Sequence, residues 1–520
     1  MTGAPVSRRS ISARRGWRAL GLALLLAVAV PLAGCSTWFL PPTSTSTPTD
    51  ENVSADLAPY YHQALVWTSC GDDMQCTTAK APLDWADPAA ASIKLALIRH
   101  VASGHSLGSL LVNPGGPGAS GYDFIKDSLD YAVSAKLKAN YDIVGFDPRG
   151  VNHSTAVKCY TDPAALDRFI YTIPAGAIGS DQWIKGQEAN QKSFGADCLK
   201  YTGKLLGHVD TISAAKDLDL LRAALGDTKL NYLGYSYGTL LGQTYANMFP
   251  TKTGRLVLDG VVDPTVTPFQ LSEEQAKGFE YDLREFLKKC PKIKGCPFGS
   301  DVDESMTTVR ALLDSLDDSP LRNKDGRELG SQTMFTAIIY PLYSVESWPV
   351  LVKLFSSVMS GSAAVAFSLA DGYNDRAADG TYTDNETEAF TAVNCLDYPS
   401  DPDVATMRAQ AVEIDKAAPV FGHLMAYGGT GCYDWPYKSV RTAGALAAKG
   451  SAPILVVGTT GDPATPYVWA KHVSTLLENG HLVTYHGNGH TAYNKSNSCV
   501  NNAVDNFFLK GTVPASDPEC

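Results

Sequence analysis

The segment Tyr232-Leu-Gly-Tyr-Ser-Tyr-Gly-Thr239 constrains this chain more than any other. It centres Gly-x-Ser-x-Gly on Ser236, with the apolar run Leu230 to Leu233 before it and a small-residue, helix-compatible stretch, Thr239 to Met248, after it. An apolar strand that turns sharply into a helix around a serine is a nucleophile elbow. Glycines two residues either side let neighbouring backbone pack closely. The hydroxyl then stands at the top of a sheet, and the helix N-terminus aims its amides at a developing oxyanion. The competing reading is a glycine-rich turn with a solvent-facing serine.

A neutral serine hydroxyl is a poor nucleophile and needs a base, itself held by an acid. After an elbow these follow in the order acid, then histidine. Ala452 to Gly458 is short and β-branched and reads as a buried strand. It ends in the turn-rich Thr459-Thr-Gly-Asp-Pro-Ala-Thr-Pro466, which places Asp462 just past the strand. Leu482 to Tyr485 reads as another strand, followed by Gly487-Asn-Gly-His490. Asp462 is therefore the expected acid and His490 the expected base. Asp259 and Asp263, after the strand that follows the elbow helix, are rival acids, and His486 reads as structural. His481, His486 and His490 make a poor metal site without HExxH or paired CxxC. No metal and no cofactor is expected.

An oxyanion hole uses the amide after the nucleophile, that of Tyr237, and a second amide from another loop. Ser109 to Val112 is a short apolar strand that runs into Asn113-Pro-Gly-Gly-Pro-Gly-Ala-Ser-Gly121. Gly115 or Gly116 is the expected donor, because Pro117 has no N–H. The loop lacks the Lys-Ser/Thr of a phosphate loop and the spacing of a dinucleotide site.

Taken together, Asn-Pro-Gly-Gly-Pro-Gly, Tyr141-Asp-Ile-Val-Gly-Phe-Asp147-Pro148-Arg149-Gly150-Val151 with Ser154, the elbow, Gly-Asp462 and Gly-His490 resemble the secreted tripeptidyl aminopeptidases of actinomycetes. The chain also resembles the related proline iminopeptidases and mycobacterial cell-envelope serine hydrolases, described as both proteases and carboxylesterases. The resemblance covers nearly everything past about residue 60. It implies an α/β-hydrolase fold, a mostly parallel sheet with helices on both faces and an inserted helical cap, and peptide or protein substrates. Proline iminopeptidases carry His where Asn113 stands and Gln where Pro148 stands, which argues against strict proline specificity. The resemblance places Asp147 and Arg149 in the active-site wall; by themselves they are a charged turn after a strand.

An enzyme that trims free N-termini needs carboxylates in a cap pocket to hold an ammonium group. Ala392-Val-Asn-Cys-Leu-Asp397-Tyr-Pro399 resembles a cap segment of the tripeptidyl aminopeptidases, so Asp397 is the first candidate and Glu388 the second. Tyr340, Tyr343 and Trp348 could line an apolar pocket or simply belong to the cap's core.

Five arginines precede an apolar run, Ala19 to Leu32, of signal-peptide rather than membrane-spanning length. Leu32-Ala-Gly-Cys35 fits a bacterial lipobox, which makes Cys35 the expected lipidation site and residues 1–35 the signal peptide. Residues 36–56, largely Ser, Thr and Pro, read as a flexible tether. The chain has 11 cysteines, and lipidation of Cys35 leaves an even 10 for disulfides in an oxidising compartment. Shortest loops favour Cys70–Cys76, Cys159–Cys198, Cys290–Cys296, Cys395–Cys432 and Cys499–Cys520. The net charge of −11 becomes −16 once the five N-terminal arginines are removed. That argues against nucleic acid and against electrostatic adhesion to anionic lipid, leaving a lipid anchor as the membrane contact.

The remaining chain is too long for a minimal hydrolase core. Strands near Ile93–Ile98, Ser109–Val112, Asp142–Phe146, Asn231–Gly234 and Leu256–Leu258 fall in residues 57–269, and two more in residues 436–520. Later strands alternate with helices, as a covered parallel sheet requires. Residues 270–435 are mainly helical and read as the cap. The expectation is a monomeric, lipid-anchored, extracytoplasmic serine hydrolase. It removes di- or tripeptides from free N-termini through an acyl-enzyme on Ser236. An envelope carboxylesterase and a non-catalytic binding module are the alternatives.

Overall fold

The structure, a computed structural model, describes residues 43–71 and 73–520. The expected signal peptide, Cys35 and the first part of the tether lie outside the described residues. Ten strands form one sheet in the order β1-β2-β3-β4-β6-β5-β7-β8-β11-β12. Six are mutually parallel: β5 (Ser109–Asn113), β6 (Asp142–Phe146), β7 (Leu230–Tyr235), β8 (Thr253–Asp259), β11 (Ile454–Gly461) and β12 (Gly480–Asn488). An antiparallel edge precedes them: β1 (Thr43–Thr45), β2 (Val66–Gly71), β3 (Met74–Pro82) and β4 (Ser92–His100). A two-stranded hairpin in the cap, Leu321–Arg322 with Glu328–Leu329, completes the set.

The parallel strands are hydrophobic on both faces because helices cover both. Leu110, Leu111 and Val112 of β5 are fully buried, and each such side chain contributes on the order of 1.5–3 kcal/mol. The three antiparallel strands β1–β3 were not legible as strands. Residues 43–51 are also not free tether. Thr43–Thr45 pair with Val66–Thr68, Ser46 donates to Ala224 O at 2.7 Å, and Lys252 reaches Glu51 at 2.5 Å. Backbone that finds an open sheet edge has its hydrogen bonds satisfied there, whatever its composition.

The cap begins at the helix Pro268–Lys289, started by a capping box. Gln270 N–H donates to Thr267 Oγ1, Thr267 N–H donates back to Gln270 Oε1, and Pro268 occupies the first turn. Further helices span Val302–Asp318, Ser331–Leu342, Trp348–Met359, Ala364–Tyr373, Glu386–Asp397 and Val404–Ala417. Most of the cap has its own core, with Leu283, Phe286, Leu313, Leu351 and Phe355. The Glu386–Asp397 helix differs: Ala392, Val393 and Leu396 pack into the main core. Trp348, offered as pocket lining, is instead buried in the cap core against Phe286. All five expected disulfides are present, a set that fits an oxidising, extracytoplasmic compartment. Among the described residues no helix is long and apolar enough to cross a membrane.

Candidate active site

Ser236 sits between β7 and the helix Tyr237–Met248 with φ 53° and ψ −126°, a conformation non-glycine residues rarely adopt. Three hydrogen bonds hold it there. Its N–H donates to Asp259 O at 3.0 Å, and its carbonyl accepts from Thr239 N–H at 2.8 Å and Thr239 Oγ1 at 2.6 Å. A Cβ on Gly234 would lie 2.4 Å from Gly238 O, so the turn closes only with glycine.

Asp462 lies past the end of β11 and His490 past the end of β12, as their spacing required. His490 Nδ1 is 2.9 Å from both Asp462 oxygens. A carboxylate only accepts, so Nδ1 carries the hydrogen and Nε2 is left free to take a proton. Nε2 is buried and has no hydrogen-bond partner among the described residues. Asp462 is itself held by the N–H groups of Ala464, Thr465 and Thr491 and by Thr465 Oγ1. His490 N–H donates to Tyr343 O at 2.8 Å, and the two rings meet edge-on at 5.3 Å.

The rival acids do other work. Asp259 holds Ser236 with its backbone carbonyl and the histidine loop with its carboxylate, which accepts from Ala492 and Tyr493 N–H. Burial pushes that carboxyl up to about 6. Asp263 pairs with His472, and His486 reaches out to Glu519.

Gly115 borders the elbow, and Gly116 next to it faces Glu386. A Cβ on Gly115, whose φ is +108°, would lie 2.8 Å from Ser236 Cβ and 3.1 Å from Tyr237 N. Gly115 N–H is occupied, however, by Asn113 Oδ1 at 3.1 Å, which leaves Gly116 and Tyr237 as the amides available for an oxyanion. Asp147 braces this loop from behind by accepting from Ser120 Oγ, Tyr122 N–H and His153 N–H. Arg149 is buried in a bidentate pair with Asp217 and faces no cleft.

Neither expected ammonium-binding acid faces an open pocket. Asp397 is fully buried, with its oxygens on Thr211 N–H and the Thr211 hydroxyl. Glu388 accepts from Cys159 N–H at 2.8 Å and Tyr160 N–H at 3.4 Å. Both side chains tie the cap to the core. A different group was missed: Asp375, Asp384 and Glu386, whose oxygens lie within 4.8 Å of one another. Glu386 Oε1 would come 3.4 Å from a Cβ placed on Gly116, so the group borders the oxyanion loop. Burial and mutual repulsion push Glu386 well above the usual carboxylate range and Asp384 up to about 7. Burial and crowding disfavour ionising all three carboxyls together. An all-oxygen set of this kind suits an ammonium group or a hard metal cation. Tyr340, Tyr343 and Tyr373 surround it, with Tyr340 and Tyr373 edge-on at 5.8 Å.

A sequence-family model described as "TAP-like protein" matches residues 418–520, which include Asp462 and His490. Serine protease Hip1 of Mycobacterium tuberculosis is 35% identical over 488 residues, covering 89% of this chain and 92% of that protein. Carboxylesterase B of the same organism is 35% identical over 511 residues, covering 95% and 96%. The chain belongs to the tripeptidyl aminopeptidase-like α/β-hydrolases. The tripeptidyl aminopeptidase of Streptomyces lividans is 29% identical over 469 residues, covering 87% and 86%.

The cap also borders a cavity of about 710 Å³. Phe269, Leu271, Phe390, Tyr398 and Met425 line it, beside the Cys395–Cys432 bridge. None of Ser236, Asp462 or His490 does.

Proposed function

We propose that the protein is an exported serine peptidase that removes short peptides from free N-termini. Ser236 is the nucleophile, His490 the general base and Asp462 the acid that orients it. His490 Nε2 takes the hydroxyl proton as Ser236 Oγ bonds to the scissile carbonyl carbon. The oxyanion that forms is met by the N–H groups of Tyr237 and Gly116. The C–N bond then breaks, and His490 passes its proton to the leaving amine. Water repeats the sequence on the ester: His490 takes its proton, the acyl peptide leaves, and the proton returns to Ser236 Oγ.

The observation that favours an N-terminal exopeptidase over a general hydrolase is the carboxyl group of Asp375, Asp384 and Glu386 beside the oxyanion loop. A free α-ammonium supplies the cation this group lacks, and its place near the acyl carbon sets where the chain is cut. The names of the relatives agree, one being a serine protease and another a tripeptidyl aminopeptidase. A second reading, carboxylesterase, draws on the apolar cap cavity and on the relative of that name. Attachment through a lipid on Cys35, a signal peptide over residues 1–35, and action as a monomer at the outer face of the membrane belong to the same proposal. The test is a matched pair of peptides, one with a free and one with an acetylated N-terminus, with products identified by mass spectrometry. Cleavage of the free form alone supports the exopeptidase. Equal cleavage of both rejects it, and activity on aryl esters alone selects the carboxylesterase.

A further inference from the structure

One face of the long cap helix, Pro268–Lys289, is applied to the loops that carry Asp462 and His490. Gln275, Gly278, Phe279 and Asp282 recur at helical spacing. Gln275 Nε2 donates to Ala464 O at 2.8 Å. Gly278 lets the helix backbone close on Pro463, whose carbonyl oxygen a Cβ would approach to 2.5 Å. Phe279 packs at 5.8 Å on Tyr343, the ring that meets His490. Asn488 Nδ2 donates to Asp282 Oδ1 at 2.9 Å, two residues before His490. The Asn488 amide also lies across Gly461, one residue before Asp462, where a Cβ would be 2.6 Å from it.

We propose that Asp282 is a positioning residue for the catalytic base: acting from the cap through Asn488, it fixes the turn that delivers His490 to Asp462 and Ser236. Nothing in the hydrolytic steps calls for a carboxyl here. Asp282 is fully buried, and its second oxygen has no partner among the described residues. The inference rests on the assignment of His490 as base, not on the peptide specificity. It also means that this helix cannot lift as part of a rigid lid without disturbing the base, so access to Ser236 has to come past another element of the cap.

Burial pushes the Asp282 carboxyl up to about 8, helped by repulsion from Asp462 across the interface and from Glu285 on its own helix. The Asn488 amide and Lys289 oppose the rise. The Asn488 N–H donates to the carboxyl in either state and more strongly to the charged one, so the Asp282–Asn488 contact persists on both sides of that value.

The test is the rate at which a fluorophosphonate labels Ser236 between pH 6 and 9.5, which needs the base but no peptide. Asp282→Ala and Asn488→Ala each label about ten- to a hundredfold more slowly at pH 7, the scale of a small misplacement. The double variant is no slower than the worse single one. Asp282→Asn, which keeps the acceptor, stays within about threefold of wild type at pH 7. Wild-type labelling by both alanine variants, multiplicative losses in the double variant, or a loss in Asp282→Asn as large as in Asp282→Ala would each overturn the proposal. Thermal melts accompany every variant, and should Asp282→Ala not fold, Asn488→Ala and the rescue by Asp282→Asn decide the matter. A protein that labels normally yet cuts no free peptide refutes the exopeptidase reading and leaves this one standing.

Discussion

Glu386→Gln removes one carboxyl from the group beside the oxyanion loop and changes almost nothing else in shape. A bound ammonium favours release of a proton the group retains when free, which the amide cannot release, so the substitution lowers the negative charge facing the ammonium by up to about one unit. A bare unit pair 4 Å apart is worth about 4 kcal/mol at an effective dielectric constant of 20. Desolvation of both partners and the remaining carboxyls reduce that to about 1.5–3 kcal/mol, the usual worth of a hydrogen bond to a charged group. Since 1.4 kcal/mol is a factor of ten, kcat/KM on a free-amine tripeptide amide should fall about 10- to 100-fold. The acetylated analogue has no cation to lose and should change less than about twofold. Glu388→Gln is the control. It lies two positions along the same helix, roughly 200° around the axis, and faces Cys159 and Tyr160 instead. It should lower the melting temperature without altering the ratio between the two substrates. Progress curves with both peptides, at pH 7 and low salt, give the four rate constants. Equal losses on both substrates with Glu386→Gln, or no loss on the free amine, would refute the reasoning.

Other consequences follow from the same geometry. Asp462→Asn removes the negative charge and puts a donating NH2 where one oxygen accepted from His490 Nδ1, which favours the wrong tautomer, so kcat should drop about 10⁴-fold with KM little changed, read from steady-state kinetics. Gly115→Ala drives a methyl against Ser236 Cβ and the Tyr237 amide at a backbone angle alanine resists; it should abolish labelling by a fluorophosphonate while the far-ultraviolet circular dichroism stays native. Cys35→Ala should move the protein from the membrane pellet to the culture supernatant and end incorporation of a clickable fatty acid, with activity per molecule preserved.

What could be read from the sequence was what short stretches of chain determine. The elbow, the acid loop and the histidine loop are each a strand end followed by turn residues, so their chemistry is local and survives being read one segment at a time. The disulfides followed for a similar reason, since each joins sequence neighbours. The substrate-side acids were not local. Asp375 comes from the end of one cap helix, Asp384 from a loop and Glu386 from the first turn of another, and only the packing of the cap assembles them. Glu388 lies two residues from Glu386, but two residues on a helix point nearly opposite ways, and its oxygens are taken by Cys159 and Tyr160. Asp397 had the right chemistry and the wrong neighbour, Thr211, which uses its oxygens. Residues 43–51 misled because composition describes what a segment can do alone, while an open sheet edge decides what it does in the fold. Asp282 carried no signal at all: its meaning comes from Asn488, 206 positions away.

The central claim, that Ser236 is a nucleophile activated by His490 and Asp462, is tested most directly by intact-protein mass spectrometry after brief exposure to a fluorophosphonate. A single adduct, mapped by peptide sequencing to Ser236, lost in Ser236→Ala and strongly slowed in His490→Ala, is the result predicted. A wild-type protein that stays unmodified, or that carries the adduct on another residue, would contradict it.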